Sequence, residues 1–293
     1  MAIEVICDLN DPRVAMFTGG LSDDLFIAES PAVIEKALNA GVVPRAMLAE
    51  RAQAERFAQV SCPVYTAERD VLAAITGYHL TRGVLCAMER PAMCDADAIC
   101  AQGRRIGVLE HIADPANVGA IFRCAAALGM DGILLTGNCA DPLYRKATRA
   151  AMGTTFILPW AFCEDPIQVL HRHGYFAIAM ALRSDAMDIG DPSLIAHQRI
   201  AIALGNEGFG LSDAVINQCD ATAIIPMHNN VDSLNVATAA AITFYRAGSA
   251  RFKRSALDPS NCRFVKDEST TPLVQGSWIL SFVPVLTYLE PAF

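Results

Sequence analysis

Apolar and polar positions fall in blocks along this chain, and the blocks change period. Short apolar runs recur at Ile106–Leu109, Gly132–Leu135, Tyr175–Leu182, Ile200–Leu204 and Ala221–Ile225. Runs of this length bounded by turn residues predict buried strands. Between them the spacing becomes helical. After Asp114-Pro115, residues Val118, Ile121, Phe122, Ala125 and Leu128 share one helical face. An Asp cap followed by Pro at the first helical position marks a helix start. Ser212 is placed to cap a short helix in SDAVINQ, and Ser233–Tyr245 reads as an alanine-rich helix. Strand–helix alternation of this kind predicts an α/β domain with a parallel sheet covered on both faces.

The first 90 residues carry a different mixture. LFIAE (25–29) and GVLCAM (83–88) read as strands, while PAVIEKALNAG (31–41) and ERDVLAAITG (68–77) read as helices ending at Gly41 and Gly77. Near residues 90–104, in the stretch ERPAMCDADAICAQGRR (89–105), the periodicity lapses among Pro, Asp and small residues, which reads as a linker. The expected organisation is a small α+β domain over 1–100, an α/β domain over 101–250, and a tail over 251–293 with no assigned structure.

Composition narrows the class. Apolar residues make up 53% of the 293 and charged residues 18%, against a usual charged share of roughly 25%. The chain is too apolar for disorder and sufficient for a large core. Its longest unbroken apolar run, Tyr175–Leu182, has eight residues, where a membrane span needs about 20. The opening MAIEVICDLN has no basic segment followed by a long apolar one, so no secretory signal is expected. Ten cysteines without a Cys-x-x-Cys pair point away from zinc knuckles and thioredoxin chemistry. Free thiols in a reducing cytoplasm are the expectation. Histidines 79, 111, 171, 173, 197 and 228 show no metal spacing, so no metal is expected.

The net charge of −8 removes any global attraction to nucleic acid. An RNA partner would need a local basic patch. Three groups are available: Arg104-Arg105, Arg145-Lys146 with Arg149, and Arg246 with Arg251, Lys253 and Arg254. Each alone is more often a solvated face than a binding site.

Three segments carry possible chemistry. LGNEGFGLS (204–212) joins a strand to a helix, a geometry that offers backbone N–H groups to a ligand. It is neither a P-loop nor a dinucleotide fingerprint. Asn117-Val-Gly119-x-x-x-Arg123 lies at another strand-to-helix junction, with Asn117 and Arg123 on different sides of the helix. A structural pair of Arg123 with Glu207 or Asp131 and a contact to an anion both fit this spacing. The third, IPMHNNVDSLNVATAAAI (225–242), is a polar loop leading into a small-residue helix, whose Ser233 and Asn235 also read as plain caps.

In this order the three segments resemble the SpoU/TrmH branch of the SPOUT methyltransferases. Arg145-Lys146-Ala-Thr-Arg149-Ala-Ala-Met-Gly153, between the first two motifs, is similar to the family's basic segment. The likeness spans about 105–246. PAVIEKAL (31–38) and HLTRGVLCAM (79–88) more loosely resemble the family's ribosomal-protein-like RNA-binding module, with Arg82 where a glutamine is expected.

The resemblance implies a SPOUT-type parallel sheet with a C-terminal trefoil knot, S-adenosylmethionine as cofactor and a homodimer. The acceptor it implies is a ribose 2′-hydroxyl of tRNA or rRNA. Cofactor contacts would come from Leu204, Gly205, Gly208, Ile225, Met227 and Leu234; catalytic roles would fall to Arg123, Asn117, Glu207, Ser233 and Asn235; RNA contacts would come from Arg145, Lys146 and Arg149. Methyl transfer from a sulfonium is a direct displacement, so the protein must align the atoms and help remove the hydroxyl proton. A free arginine, with a pKa above about 12, is a poor base. Holding the phosphate beside the acceptor is the easier role for Arg123.

Two alternatives stand beside this reading: an inactive RNA-binding protein on the same fold, and a SPOUT enzyme that methylates a base. Intact Asn117, Arg123, Glu207 and the Ser233-Leu-Asn235 segment count against the first, and Arg123 in the first motif against the second. The tail after about 255 lies outside the resemblance and carries an apolar stretch, WILSFVPVL (278–286), that is too short and Pro-broken to span a membrane.

Overall fold

The computed structural model describes residues 3–8, 10–18, 21–77, 83–229, 231 and 233–255, with side chains described as far as 248. The HLTR segment with Arg82, the side chains of Arg251, Lys253 and Arg254, and the tail with 278–286 lie outside the described residues.

The first part is built on five strands: β1 (Ile3–Val5), β2 (Leu25–Glu29), β3 (Pro44–Ala49), β4 (Val64–Thr66) and β5 (Val84–Glu89). They stand in the order β1-β4-β3-β5-β2. β1, β4 and β3 run parallel, while β5 is antiparallel to both its neighbours. Helices α1 (Pro31–Asn39), α2 (Arg51–Ala54) and α3 (Arg69–Thr76) connect them. α3 ends where Gly77 takes a left-handed conformation at φ 76°, the C-terminal signal seen in the sequence.

Helix α4 (Ala96–Gln102) lies within the stretch read as a linker. Asp95 starts it by accepting from the N–H groups of Asp97 and Ala98, at 2.7 and 3.2 Å. Ile99 and Cys100 are buried. With one large aliphatic residue in seven, α4 has too weak an apolar stripe to show as helical periodicity.

The second part has seven strands: β6 (Arg105–Leu109), β7 (Gly132–Leu135), β8 (Trp160–Phe162), β9 (Phe176–Met180), β10 (Met187–Asp188), β11 (Ile200–Leu204) and β12 (Ala221–Ile224). Their order is β10-β12-β9-β11-β6-β7-β8, with every pairing parallel. Helices α5 (Pro115–Ala127), α6 (Arg145–Ala150), α7 (Pro166–Arg172), α8 (Asp213–Gln218) and α9 (Val236–Ser255) complete it. This is the expected α/β architecture.

The centre of the sheet is buried on both faces. On β11, Ile200, Ile202 and Leu204 enter one apolar cluster, while Ala201 and Ala203 enter another. Gly107 on β6 leaves room for Phe244 of α9, whose ring lies 3.1 Å from where a Cβ would stand. Arg105 is buried and structural, donating to the carbonyls of Ala247, Gln198 and Arg104 at 2.9, 2.8 and 3.0 Å. It therefore drops out of the Arg104-Arg105 candidate patch.

Met1–Arg254 form one compact unit. Its largest apolar cluster runs from Phe26, Val33 and Ile34 to Phe122 and Trp160, with Phe26 and Phe156 rings 5.5 Å apart. Among the described residues, no helix is long and apolar enough to cross a membrane.

Candidate active site

The site gathers at the C-terminal ends of the parallel strands, where open α/β sheets hold ligands. The Gly-rich loop leaves β11 after Leu204 and turns back on itself. Asn206 N–H donates to the Gly210 carbonyl at 3.1 Å, and Gly210 N–H returns to the Asn206 carbonyl at 2.8 Å. The Asn206 side chain fastens the turn from inside: Oδ1 accepts from Gly208 and Phe209 N–H at 2.7 and 3.3 Å, and Nδ2 donates to the His111 carbonyl at 2.9 Å. Gly205 is required by this closure, since a Cβ there would stand 2.2 Å from the Gly210 carbonyl carbon. Gly210, at φ 72°, takes the left-handed conformation that glycine adopts freely.

Opposite this loop lie Ile225, Met227, Ser233 and Leu234. Between them lies a cleft of about 610 Å³. All six residues expected to contact a cofactor line it: Leu204, Gly205, Gly208, Ile225, Met227 and Leu234. Glu207 and Ser233 line it too, as does Phe209, which is 95% exposed.

Three of the expected catalytic residues form one hydrogen-bonded chain. Asn235 Nδ2 donates to Asn117 Oδ1 at 3.1 Å, and Asn117 Nδ2 in turn donates to Glu207. The second and third motifs thus meet the first through side chains. Helix α9 starts at Val236 rather than Ser233, and its cap is Asn235, whose Oδ1 accepts from Ala237 N–H at 2.9 Å. Ser233 stays in the loop because the polar segment before Val236 lines the cleft instead of coiling.

Arg123 points elsewhere. It is exposed on α5, and neither structural partner open in the sequence is realised. Glu207 holds Asn117, and Asp131 accepts from the N–H groups of Arg104 and Arg105 at 2.8 and 2.9 Å. Arg123 lines a second cavity of about 490 Å³ with Lys146, Arg149, Glu29 and Ser30. The two cavities share no lining residue.

Gly119 brings α5 and α6 together, since a Cβ there would lie 2.2 Å from the Ala147 carbonyl oxygen. The basic residues on α6 have acidic neighbours. Arg145 and Arg149 lie 3.7 and 3.5 Å from the buried Glu29 carboxylate. Lys146 bonds Asp114 at 2.8 Å, and this ammonium, with the Ala116 N–H, holds the Asp114 carboxyl below its usual range.

Sequence reasoning missed Glu110, which is 5% exposed at the end of β6. Its two carboxylate oxygens accept from the N–H and the hydroxyl of Ser212, both at 2.7 Å. Its only signal was a charged residue directly after the apolar run Ile106–Leu109. Among the described residues, no group of three or more His, Cys, Asp or Glu side chains is placed to hold a metal.

Comparison with known proteins adds to this geometry. Residues 105–245 match the SpoU rRNA Methylase family. An uncharacterized tRNA/rRNA methyltransferase of Mycobacterium bovis is 37% identical over 261 residues, covering 83% of this chain and 91% of that protein. The 23S rRNA (guanosine(2553)-2'-O)-methyltransferase of Bacillus subtilis is 26% identical over 223 residues, covering 75% and 87%. The solved structure of an AdoMet-bound rRNA methyltransferase from Sinorhizobium meliloti superposes with a TM-score of 0.73 at 25% identity, covering 85% and 98%.

Proposed function

The chain belongs to the SpoU family of RNA methyltransferases, and from that premise we propose that it methylates a ribose 2′-hydroxyl of ribosomal or transfer RNA using S-adenosylmethionine. The observation that carries the reading is the single cleft formed by the Gly205–Leu211 turn and the Ile225–Leu234 segment, bordered by the Asn235–Asn117–Glu207 chain.

The residues present fit such a cofactor. The cleft volume suits a nucleoside-sized ligand. Leu204, Ile225 and Leu234 offer apolar surface for a purine, and the bare Gly205 and Gly208 let a ligand approach the backbone. When bound, S-adenosylmethionine supplies a methyl group activated by its sulfonium. The chain's own residues align the acceptor and exclude competing water. Asn117, held between Glu207 and Asn235, cannot rotate freely and presents a fixed edge to a ribose. Arg123 is uncommitted to any carboxylate among the described residues, so its guanidinium fork is available to hold the phosphate beside the acceptor.

Within one chain, Arg123 and the cofactor cleft line different cavities. We infer that the working unit is a homodimer in which one protomer's Arg123 serves its partner's cleft. We also infer that the C-terminal part of the seven-stranded domain is threaded as the family's trefoil knot.

The test is transfer of labelled methyl from S-adenosylmethionine to unmodified total RNA, followed by nucleoside mass spectrometry. A 2′-O-methylnucleoside that disappears with Arg123→Ala is the expected result. Methyl on a base, or cofactor binding without transfer to any RNA, overturns the reading. A monomeric mass by sedimentation at micromolar concentration overturns the shared site.

A further inference from the structure

The Arg123 cavity contains a buried hydroxyl with no partner. Ser30 precedes α1 at the position where serine caps a helix, yet its side chain makes no capping bond. Its φ of 89° is one that side-chain-bearing residues rarely adopt. Ser30 is 2% exposed, it lines the cavity, and its Oγ has no hydrogen-bond partner. A buried hydroxyl without a partner is costly, and strained backbone of this kind collects at ligand sites. The residue gives up both its cap and its preferred conformation to stand beside Arg123 and Arg149.

The charge around Ser30 says what it faces. Arg123, Lys146 and Arg149 line the cavity, against the single carboxylate of Glu29. That carboxylate does not saturate the cations. It lies 3.5 Å from Arg149, where a seated charge-assisted bond measures about 2.8 Å. Lys146 is engaged by Asp114. Arg123, Arg149 and Ser30 therefore line a space whose fixed negative charge is one buried group. A compact monoanion with several acceptor oxygens matches this set.

We propose that the cavity seats one phosphodiester group of the substrate RNA, with Ser30 Oγ donating to it beside the guanidiniums of Arg123 and Arg149. This rests on the reading of the chain as an RNA-modifying enzyme. The seat joins the two parts of the molecule, because Ser30 and Glu29 come from the five-stranded part while Arg123 and Arg149 come from α5 and α6. Phosphate binding here fixes the first sheet's register on the RNA relative to Arg123. Ser30 is then a positioning residue for the acceptor.

Filter binding of the full chain to an unmodified 23S rRNA transcript, without cofactor, tests this. Ser30→Ala removes the donor, and Ser30→Gly removes it while relieving the backbone. Each variant is expected to raise the RNA Kd about tenfold and leave S-adenosylmethionine affinity unchanged. Combined with Arg123→Ala, the loss should fall short of the product of the single losses, because both groups hold the same phosphate. In a second arm, inorganic phosphate should raise the wild-type Tm and leave the Tm of both variants unmoved. If both variants bind RNA as wild type does, the seat is overturned while the methyltransferase reading stands. If wild type binds no RNA yet phosphate protection depends on Ser30, the RNA occupant and the reading beneath it are overturned together.

Discussion

Glu110 and Ser212 are joined twice, through the serine N–H and through its hydroxyl, each at 2.7 Å from a carboxylate oxygen. Ser212 also caps α8 by accepting from Val215 N–H at 3.3 Å. One buried carboxylate thus fixes the exit of the Gly-rich turn and the start of the next helix. Glu110→Ala strands both Ser212 donors next to a void. Bonds to a charged group are worth about 1.5–3 kcal/mol each, so a loss of about 2–4 kcal/mol is expected. Glu110→Gln keeps one acceptor and should lose about half as much. Calorimetry with cofactor titration checks both, and S-adenosylmethionine should bind more weakly in each variant. Wild-type Tm and affinity in Glu110→Ala would show that the turn is held by Asn206 alone.

Gly119 makes a separate prediction about the first motif. A methyl group there would press on backbone, 2.2 Å from the Ala147 oxygen and 2.9 Å from its carbon. Backbone cannot rotate away as a side chain can, so α6 must shift. Gly119→Ala should cost about 1–3 kcal/mol. It should also move Lys146 and Arg149 relative to Arg123, so RNA affinity falls with stability. Gly137→Ala is the control, with nothing within 4 Å of its Cβ. It should leave both unchanged.

Those two glycines mark how far the sequence could be read. Apolar runs gave β6, β7, β9, β11 and β12 because a parallel sheet buried on both faces requires continuous apolar strands. Cap chemistry gave α5 and α8, whose starts at Asp114 and Ser212 are made by those side chains. Helix α4 was hidden by its small residues, and the true cap of α9 by two polar residues, Ser233 and Asn235, competing for the role. The cofactor cleft was legible because the six residues expected to contact a cofactor come from two contiguous segments, whereas the Met180–Arg183 part of its lining carried no signal. The Arg123 cavity was not legible, because Ser30 and Glu29 lie about a hundred residues away, and no local pattern marks a φ of 89° at Ser30.

Alkaline conditions should weaken the fold through its buried thiols. Burial pushes Cys100 and Cys219 up to about 12, reinforced by the nearby charges of Asp97 and Asp220 respectively. Cys124, Cys139 and Cys163 are raised for the same first reason. In the unfolded chain a thiol titrates near 8.5. The folded value lies above the unfolded one, so the unfolded state loses its proton first. Stability is complete below about 8.5 and falls as pH rises toward about 12. Urea midpoints should fall from pH 7.5 to pH 10, and a Cys100→Ala/Cys219→Ala variant should show a shallower fall. Equal slopes would place the alkaline loss in other groups.

Arg123 separates function from stability. It is exposed, and no ion pair or hydrogen bond ties it to another described residue, so the fold does not depend on its charge. Arg123→Ala should change stability by less than about 0.5 kcal/mol. Methyl transfer should nevertheless drop by about 10²-fold or more, the usual loss when one preorganised donor is removed. Arg123→Lys is the sharper variant. Lysine keeps the positive charge but not the planar pair of donors that grips a phosphate at two oxygens. Activity close to that of Arg123→Ala is expected, with cofactor affinity unaltered because Arg123 does not line that cleft. Near-full activity in Arg123→Lys would mean that a point charge suffices, and the two-pronged hold on phosphate would have to be given up.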